Sequence, residues 1–146
     1  MLLAAIALLH FAWFLGLSFP CANEQSLART VVGRRGITKM PSKLATLFVV
    51  FCLLIAGYWA WRLGAHPDAD DAKWYLGPIG LLIGFIFAAR GVIGILPAFE
   101  RAMPEQPFLK LNRRFYSPLS FLIGVGFLLL ALSLPNWSWR LGELLG

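Results

Sequence analysis

Four long apolar runs, at residues 2–19, 44–63, 75–96 and 117–134, divide this sequence, and most of its charges fall in the connections between them. Each run is close to the roughly 20 residues that carry a helix across a hydrocarbon core of about 30 Å. None alternates strictly between apolar and polar positions as a barrel strand does, and in lipid a helix satisfies its own backbone. The pattern predicts an all-α protein, a bundle of four transmembrane helices forming one domain over residues 1–146. The first run has no basic leader and carries His10 and Trp13 inside it, so it reads as a retained helix, not a secretory signal. Pro20 stands where a lipoprotein signal ending at Cys21 would need a small residue.

Charge sets the expected orientation. Arg29, Arg34, Arg35, Lys39 and Lys43 lie in the first connection, and Arg101, Lys110, Arg113 and Arg114 in the third. The second connection has Arg62 and Lys73 at its edges with Asp68, Asp70 and Asp71 between them, and Arg140 follows the last run. The positive-inside rule then places the first and third connections in the cytoplasm and both termini on the non-cytoplasmic side. Composition agrees: 59% of the 146 residues are hydrophobic and 14% charged, against roughly 25% charged in a soluble domain. A mean hydropathy of +0.72 excludes a water-soluble globule and a disordered chain alike. The net charge of +6 does not call for nucleic acid, because the cations sit within a few residues of the spans, where orientation and contact with anionic lipid account for them.

Three patterns bear on packing. Gly77, Gly84 and Gly91 recur every seven residues in the third run with Gly80 and Gly94 on companion positions, a small-residue seam that lets another helix approach closely. Tyr58, Trp59, Trp61, Trp74, Tyr75, Trp137 and Trp139 cluster at the presumed outer surface as an interfacial belt. Phe108, Leu111 and Phe115, interleaved with Lys110, Asn112, Arg113 and Arg114, suggest a short amphipathic segment lying in the membrane boundary.

Chemistry has few carriers. Cys21 and Cys52 are too far apart in sequence for a redox dithiol or a zinc motif. No standard nucleophile and base set is visible, no carboxylate lies in any span, and no cofactor or metal is expected. Arg90 is the one charge well inside a span, about 9 Å from the cytoplasmic end of the third run at 1.5 Å per residue. Helical side chains lean toward the N-terminus, so its guanidinium is expected to point deeper into the membrane. Asn112, Tyr116, helix-end carbonyls, or Glu24 and Glu100 on an infolded loop are its candidate partners, and a bound anion is the other way to satisfy it. His10 lies near mid-span with Trp13 almost a turn later; it suits an interhelical hydrogen bond, with a proton relay or haem ligation as remoter roles. Depth arithmetic separates His10 and Arg90 by only ~5 Å, so one polar pocket could include His10, Trp13, Arg90, Asn112 and Tyr116.

His10-Phe11-Ala12-Trp13 with Gly16, Arg90-Gly91 with Gly94, and Pro107-Phe108 leading through Leu111-Asn112-Arg113-Arg114 to Tyr116-Ser117-Pro118-Leu119 resemble a bacterial integral membrane family known as domain of unknown function 3995. The resemblance spans nearly the whole chain and implies a small four-helix protein of the bacterial inner membrane, with no established activity. Two positions depart from the family pattern: Ser120 stands where members often have Cys, and Asn112 where many have Asp. Locally, Ser117 reads as the N-cap and Pro118 as the first residue of the fourth helix.

These residues lead to an expectation of a non-catalytic binding or accessory protein that holds an anionic lipid or amphipathic small molecule near Arg90. Two alternatives stand beside it. One is a membrane enzyme acting on a lipidic or isoprenoid substrate, with His10 as acid or base and Arg90 as anion clamp. The other is a subunit of a larger membrane complex or a homo-oligomer, with the glycine seam taken by a partner's helix.

Overall fold

The computed structural model describes residues 1–65 and 75–134. Its elements are α1 (Leu2–Phe14), α2 (Glu24–Val31), α3 (Lys43–Gly64), α4 (Leu76–Ile93), α5 (Pro97–Ala102), α6 (Phe108–Leu111), and a π-helical turn (Asn112–Tyr116) that runs directly into α7 (Ser117–Leu132). No strand occurs among the described residues. Three helices are long and apolar enough to cross a membrane: α3, α4 and the continuous helix Phe108–Leu132. The 13-residue α1 is apolar but only ~20 Å long at 1.5 Å per residue, short of a core about 30 Å thick.

The early end of α1 has a local cause. Gly16 adopts a left-handed φ of +90°, its N–H donates to the Trp13 carbonyl, and the Leu17 N–H donates to the Ala12 carbonyl. This is the paired closure that a glycine just past a helix end permits. The Trp13 Nε1–H then donates to the Phe19 carbonyl at 2.7 Å, folding the following chain back beneath the last turn. The first apolar run therefore ends as helix at Phe14, before residue 19.

The fourth helix departs from expectation at its start. Ser117 is not an N-cap, because helix already exists from Phe108. Pro118 has no N–H to give the Arg114 carbonyl, and the Ser117 N–H reaches back five residues to the Asn112 carbonyl. One residue is inserted into the ladder there, which is how a helix absorbs an interior proline. The expected amphipathic segment is also different. Phe108 is buried against Gly33, Phe99 and Tyr116, while Phe115 is exposed, so the two do not share a lipid-facing side.

The helices pair as α1 with α3 and α4 with α7. The glycine seam lies at the second contact: Gly77, Gly80, Gly84, Gly91 and Gly94 are all buried. A methyl group on Gly91 would sit 2.7 Å from the Phe121 backbone nitrogen and 2.8 Å from the Ser117 carbonyl oxygen, and one on Gly84 would sit 3.1 Å from the Gly124 carbonyl oxygen. Gly124 answers from α7 against the backbone of Ala88 and Gly84. Backbone thus meets backbone along this pair, the contact that replaces the hydrophobic drive missing in lipid.

The pairs join at one end, where Leu3, Ala7, Leu53, Ala56, Leu63, Leu76, Phe127, Ala131 and Leu134 form the apolar core. The Trp59 indole donates to the Leu76 carbonyl at 3.0 Å across the top of α3 and α4. Tyr58 and Trp61 remain exposed beside it. Trp74, Trp137 and Trp139 of the expected belt lie outside the described residues, as do His66, Asp68, Asp70, Asp71, Lys73 and Arg140. Elsewhere the outer faces carry large apolar side chains, among them Phe48, Phe51 and Ile55 of α3, Leu82, Phe85 and Ile86 of α4, and Leu122 and Leu129 of α7. Such faces suit a hydrocarbon solvent.

Replacing Gly91 with Val is expected to destabilise the α4–α7 contact by at least the ~1–3 kcal/mol typical of overpacking. Gly126→Ala, where nothing lies within 4 Å of the added methyl, is expected to leave stability unchanged or raise it by up to ~1 kcal/mol through helix propensity. Thermal unfolding of the two variants in the same detergent checks the contrast.

Candidate functional site

At the opposite end from the apolar core, the two basic connections close over the helices as one cap. Leu27 and Ala28 of α2 are buried, Phe108 sits against Gly33, and the Glu105 N–H donates to the Gly33 carbonyl at 3.1 Å. The Glu105 carboxylate accepts from Arg29 Nε at 3.0 Å and from the Gly36 N–H at 2.9 Å. Glu100 on α5 forms a two-pronged ion pair with Arg113, and Glu24 accepts the Met40 N–H at 3.0 Å. Both carboxyls in ion pairs are held below the usual range. For Glu100 the main cause is hydrogen bonding from Arg113; for Glu105 it is the Gly36 N–H first and Arg29 second.

Beneath this cap lies the most enclosed polar group of the chain. Asn112 is fully buried, and its amide links three elements. Its Oδ1 accepts from Arg90 Nη2 at 3.2 Å and from the Ser117 hydroxyl at 3.1 Å, and its Nδ2 donates to the Gly94 carbonyl at 2.5 Å. The π-helical turn makes this possible, since its wider ladder brings Asn112 and Ser117, five residues apart, onto one face. Gly94 allows the approach: a side chain there would collide with the Ser117 hydroxyl and the Arg90 guanidinium.

Arg90 is shallower than its run suggested. Helix α4 ends at Ile93, so Arg90 stands about one turn, ~5 Å, from the helix end. Its guanidinium does not lean toward the N-terminus. It bends the other way, beside Gly94 and under the Phe99 ring, whose centroid is 5.2 Å from Cζ. The Asn112 oxygen, the ring face and the negative end of the helix dipole all lie on that side. The Nη1 group is buried and has no hydrogen-bond partner. Nor does any described carboxylate serve as counter-ion: Glu24, Glu100 and Glu105 each accept from other donors.

The five candidate residues separate into two groups. Arg90 and Asn112 are bonded to each other, and Tyr116 stands nearby, its ring tilted against Phe108 and its hydroxyl donating to the Thr30 carbonyl at 3.4 Å. His10 and Trp13 form their own pair on α1, ring centroids 4.6 Å apart. The Ile6 carbonyl lies 2.8 Å from His10 Nδ1 and can only accept, so Nδ1 carries a proton. No hydrogen bond, ion pair or ring contact among the described residues joins the two groups. Ser117, Gly94 and Phe99 also belong to the Arg90 group; the sequence marked Gly94 for packing and Ser117 as a cap, and carried no signal for Phe99. No cluster of three or more potential metal ligands occurs among the described residues.

Among the described residues, helices alone, three of them fit to cross a membrane, and a half-buried arginine joined to a buried amide under a basic cap define the class. Over residues 3–127 the chain matches the family described as Protein of unknown function (DUF3995), and it belongs to that family. No curated protein and no solved structure matches it.

Asn112→Ala would leave Arg90 Nη2, the Gly94 carbonyl and the Ser117 hydroxyl unpaired. The expected cost is at least ~2 kcal/mol, given ~1–3 kcal/mol for one unsatisfied buried group, read as a lower unfolding temperature in detergent. A second expectation concerns pH. Because both carboxyls titrate lower folded than unfolded, their contribution is complete above the ordinary carboxylate pKa of about 4.3 and is lost as pH falls through the lower folded values. Hydrogen-exchange protection of the Gly36 amide should therefore drop only as pH falls below the ordinary carboxylate pKa of about 4.3, and Glu105→Gln should abolish that pH dependence.

Proposed function

We propose that this chain is a multi-pass protein of the bacterial inner membrane in which α1, α3, α4 and α7 are the four spans, both termini lie outside the cytoplasm, and Arg90 holds the anionic group of a lipid or amphipathic small molecule without covalent chemistry. One observation carries the reading: a guanidinium with a buried, partnerless Nη1 and no counter-ion among the described carboxylates. An isolated charge out of water costs several kcal/mol unless something compensates it. Asn112 supplies an acceptor but no charge. A phosphate or carboxylate supplies both and can engage the guanidinium through two parallel hydrogen bonds.

Position supports the same reading. One turn from the end of α4 and beneath the cap with the basic connections, Arg90 stands at the depth of lipid headgroups if that cap faces the cytoplasm. The gathering of both basic connections at one end favours that orientation. The short α1 reaches across if the bilayer thins locally around it. The Ser117 hydroxyl is the nucleophile type nearest Arg90, and it donates to an amide oxygen instead of a base. Binding fits that geometry better than turnover.

Native mass spectrometry of protein released from membranes containing phosphatidylglycerol tests the proposal. Wild type should retain an anionic lipid or an acidic amphiphile whose mass identifies it. Arg90→Ala should lower retention about ten-fold, the equivalent of one charge-assisted contact. Asn112→Asp should also lower it, by supplying a built-in counter-charge. Equal retention by wild type and Arg90→Ala in folded protein would falsify the reading.

A further inference from the structure

A second feature lies away from Arg90. Between the end of α1 and the starts of α2 and α3 is a cavity of about 110 Å³ whose lining includes Trp13, Ser18, Glu24, Leu27, Lys43 and Thr46. Two opposite charges border it without meeting, since neither Glu24 nor Lys43 forms an ion pair among the described residues. One Glu24 oxygen accepts the Met40 N–H, and both Glu24 and Lys43 are exposed, so each charge is accessible to a ligand. Lys43 is the first residue of α3, a helix long enough to cross a membrane, so the cavity sits at a boundary between apolar and polar surroundings. Leu17 of its lining is exposed, as are Leu15, Leu44 and Phe48, which neighbour the lining residues in sequence at the end of α1 and the start of α3.

We propose that this cavity binds the headgroup of a zwitterionic aminophospholipid, with its phosphate at Lys43, its primary ammonium at Glu24 and its acyl chains along these exposed apolar side chains. A site with one cation and one anion is complementary to a ligand that carries both. A purely anionic headgroup would leave Glu24 facing it, and like charge there is unfavourable. A primary ammonium donates hydrogen bonds to a carboxylate, whereas a trimethylammonium has none to donate and is bulkier. A cavity of about 110 Å³ admits a small polar group but not an acyl chain. The exposed leucines and phenylalanine therefore favour a lipid over a free zwitterion.

The test is lipid retention by the full chain in vesicles of equal phosphatidylethanolamine, phosphatidylcholine and phosphatidylglycerol, read by native mass spectrometry. Wild type should keep phosphatidylethanolamine over phosphatidylcholine by about ten-fold. Glu24→Gln, which keeps an acceptor for the Met40 N–H, and Lys43→Gln should each remove that preference at unchanged helical content. Arg90→Ala should leave it intact while lowering retention of the anionic lipid, so this site and the one at Arg90 stand or fall separately. Equal retention of the two zwitterionic lipids by wild type overturns the proposal, a result that needs no variant to fold. So does displacement of the lipid by an equal concentration of free phosphoethanolamine, which would assign the cavity to a soluble ligand.

Discussion

The close approach of α4 and α7 is the constraint on which the rest of the molecule depends. Glycines on both helices bring backbone against backbone, from Gly84 against Gly124 to Gly91 beside Ser117. In an apolar solvent this contact has no competitor, since lipid tails offer a leucine surface as good a neighbour as another helix does. Once the two backbones are this close, the end of α4 and the start of α7 share polar groups, because Asn112 and Ser117 are buried between them.

Asn112 resolves that sharing. A single amide accepts from Arg90 and Ser117 and donates to the Gly94 carbonyl, so the last turn of α4 and the π-helical entry to α7 satisfy one another. The same node explains why Arg90 bends toward the helix end. Its acceptor, the Phe99 ring and the helix-end carbonyls lie there, and together they outweigh the intrinsic lean of a helical side chain. What the node lacks is negative charge. The carboxylates of the cap are committed elsewhere: Glu100 to Arg113, Glu105 to Arg29 and Gly36. The cap is thus held by its own ion pairs while the cation beneath it stays open to an external partner.

The two ends of the bundle do different work. The end with Leu63, Leu76, Phe127 and Ala131 is dry and holds α3 to α4 and α7 by packing, with the Trp59 indole as its polar tie. The other end is wet and charged and carries the short helices α2, α5 and α6. Function, on the reading advanced here, belongs to the wet end, where polar groups were brought together by folding and not by proximity in sequence.

Helix positions, the glycine seam and the place of Arg90 near the end of its apolar run were legible in the order of residues, since hydropathy and small-residue spacing depend only on neighbours along one helix. The bounds of α3 and α4 follow their apolar runs to within a few residues. The early stop of α1 was written in Gly16 but hidden by the apolar residues beyond it. Which partner Arg90 takes, that Ser117 is a buried donor and not a cap, and that His10 and Trp13 stand apart from Arg90 were decided only by tertiary structure. Those facts depend on which helices pair and on one extra residue in a helical turn, and no periodicity along a single segment encodes either.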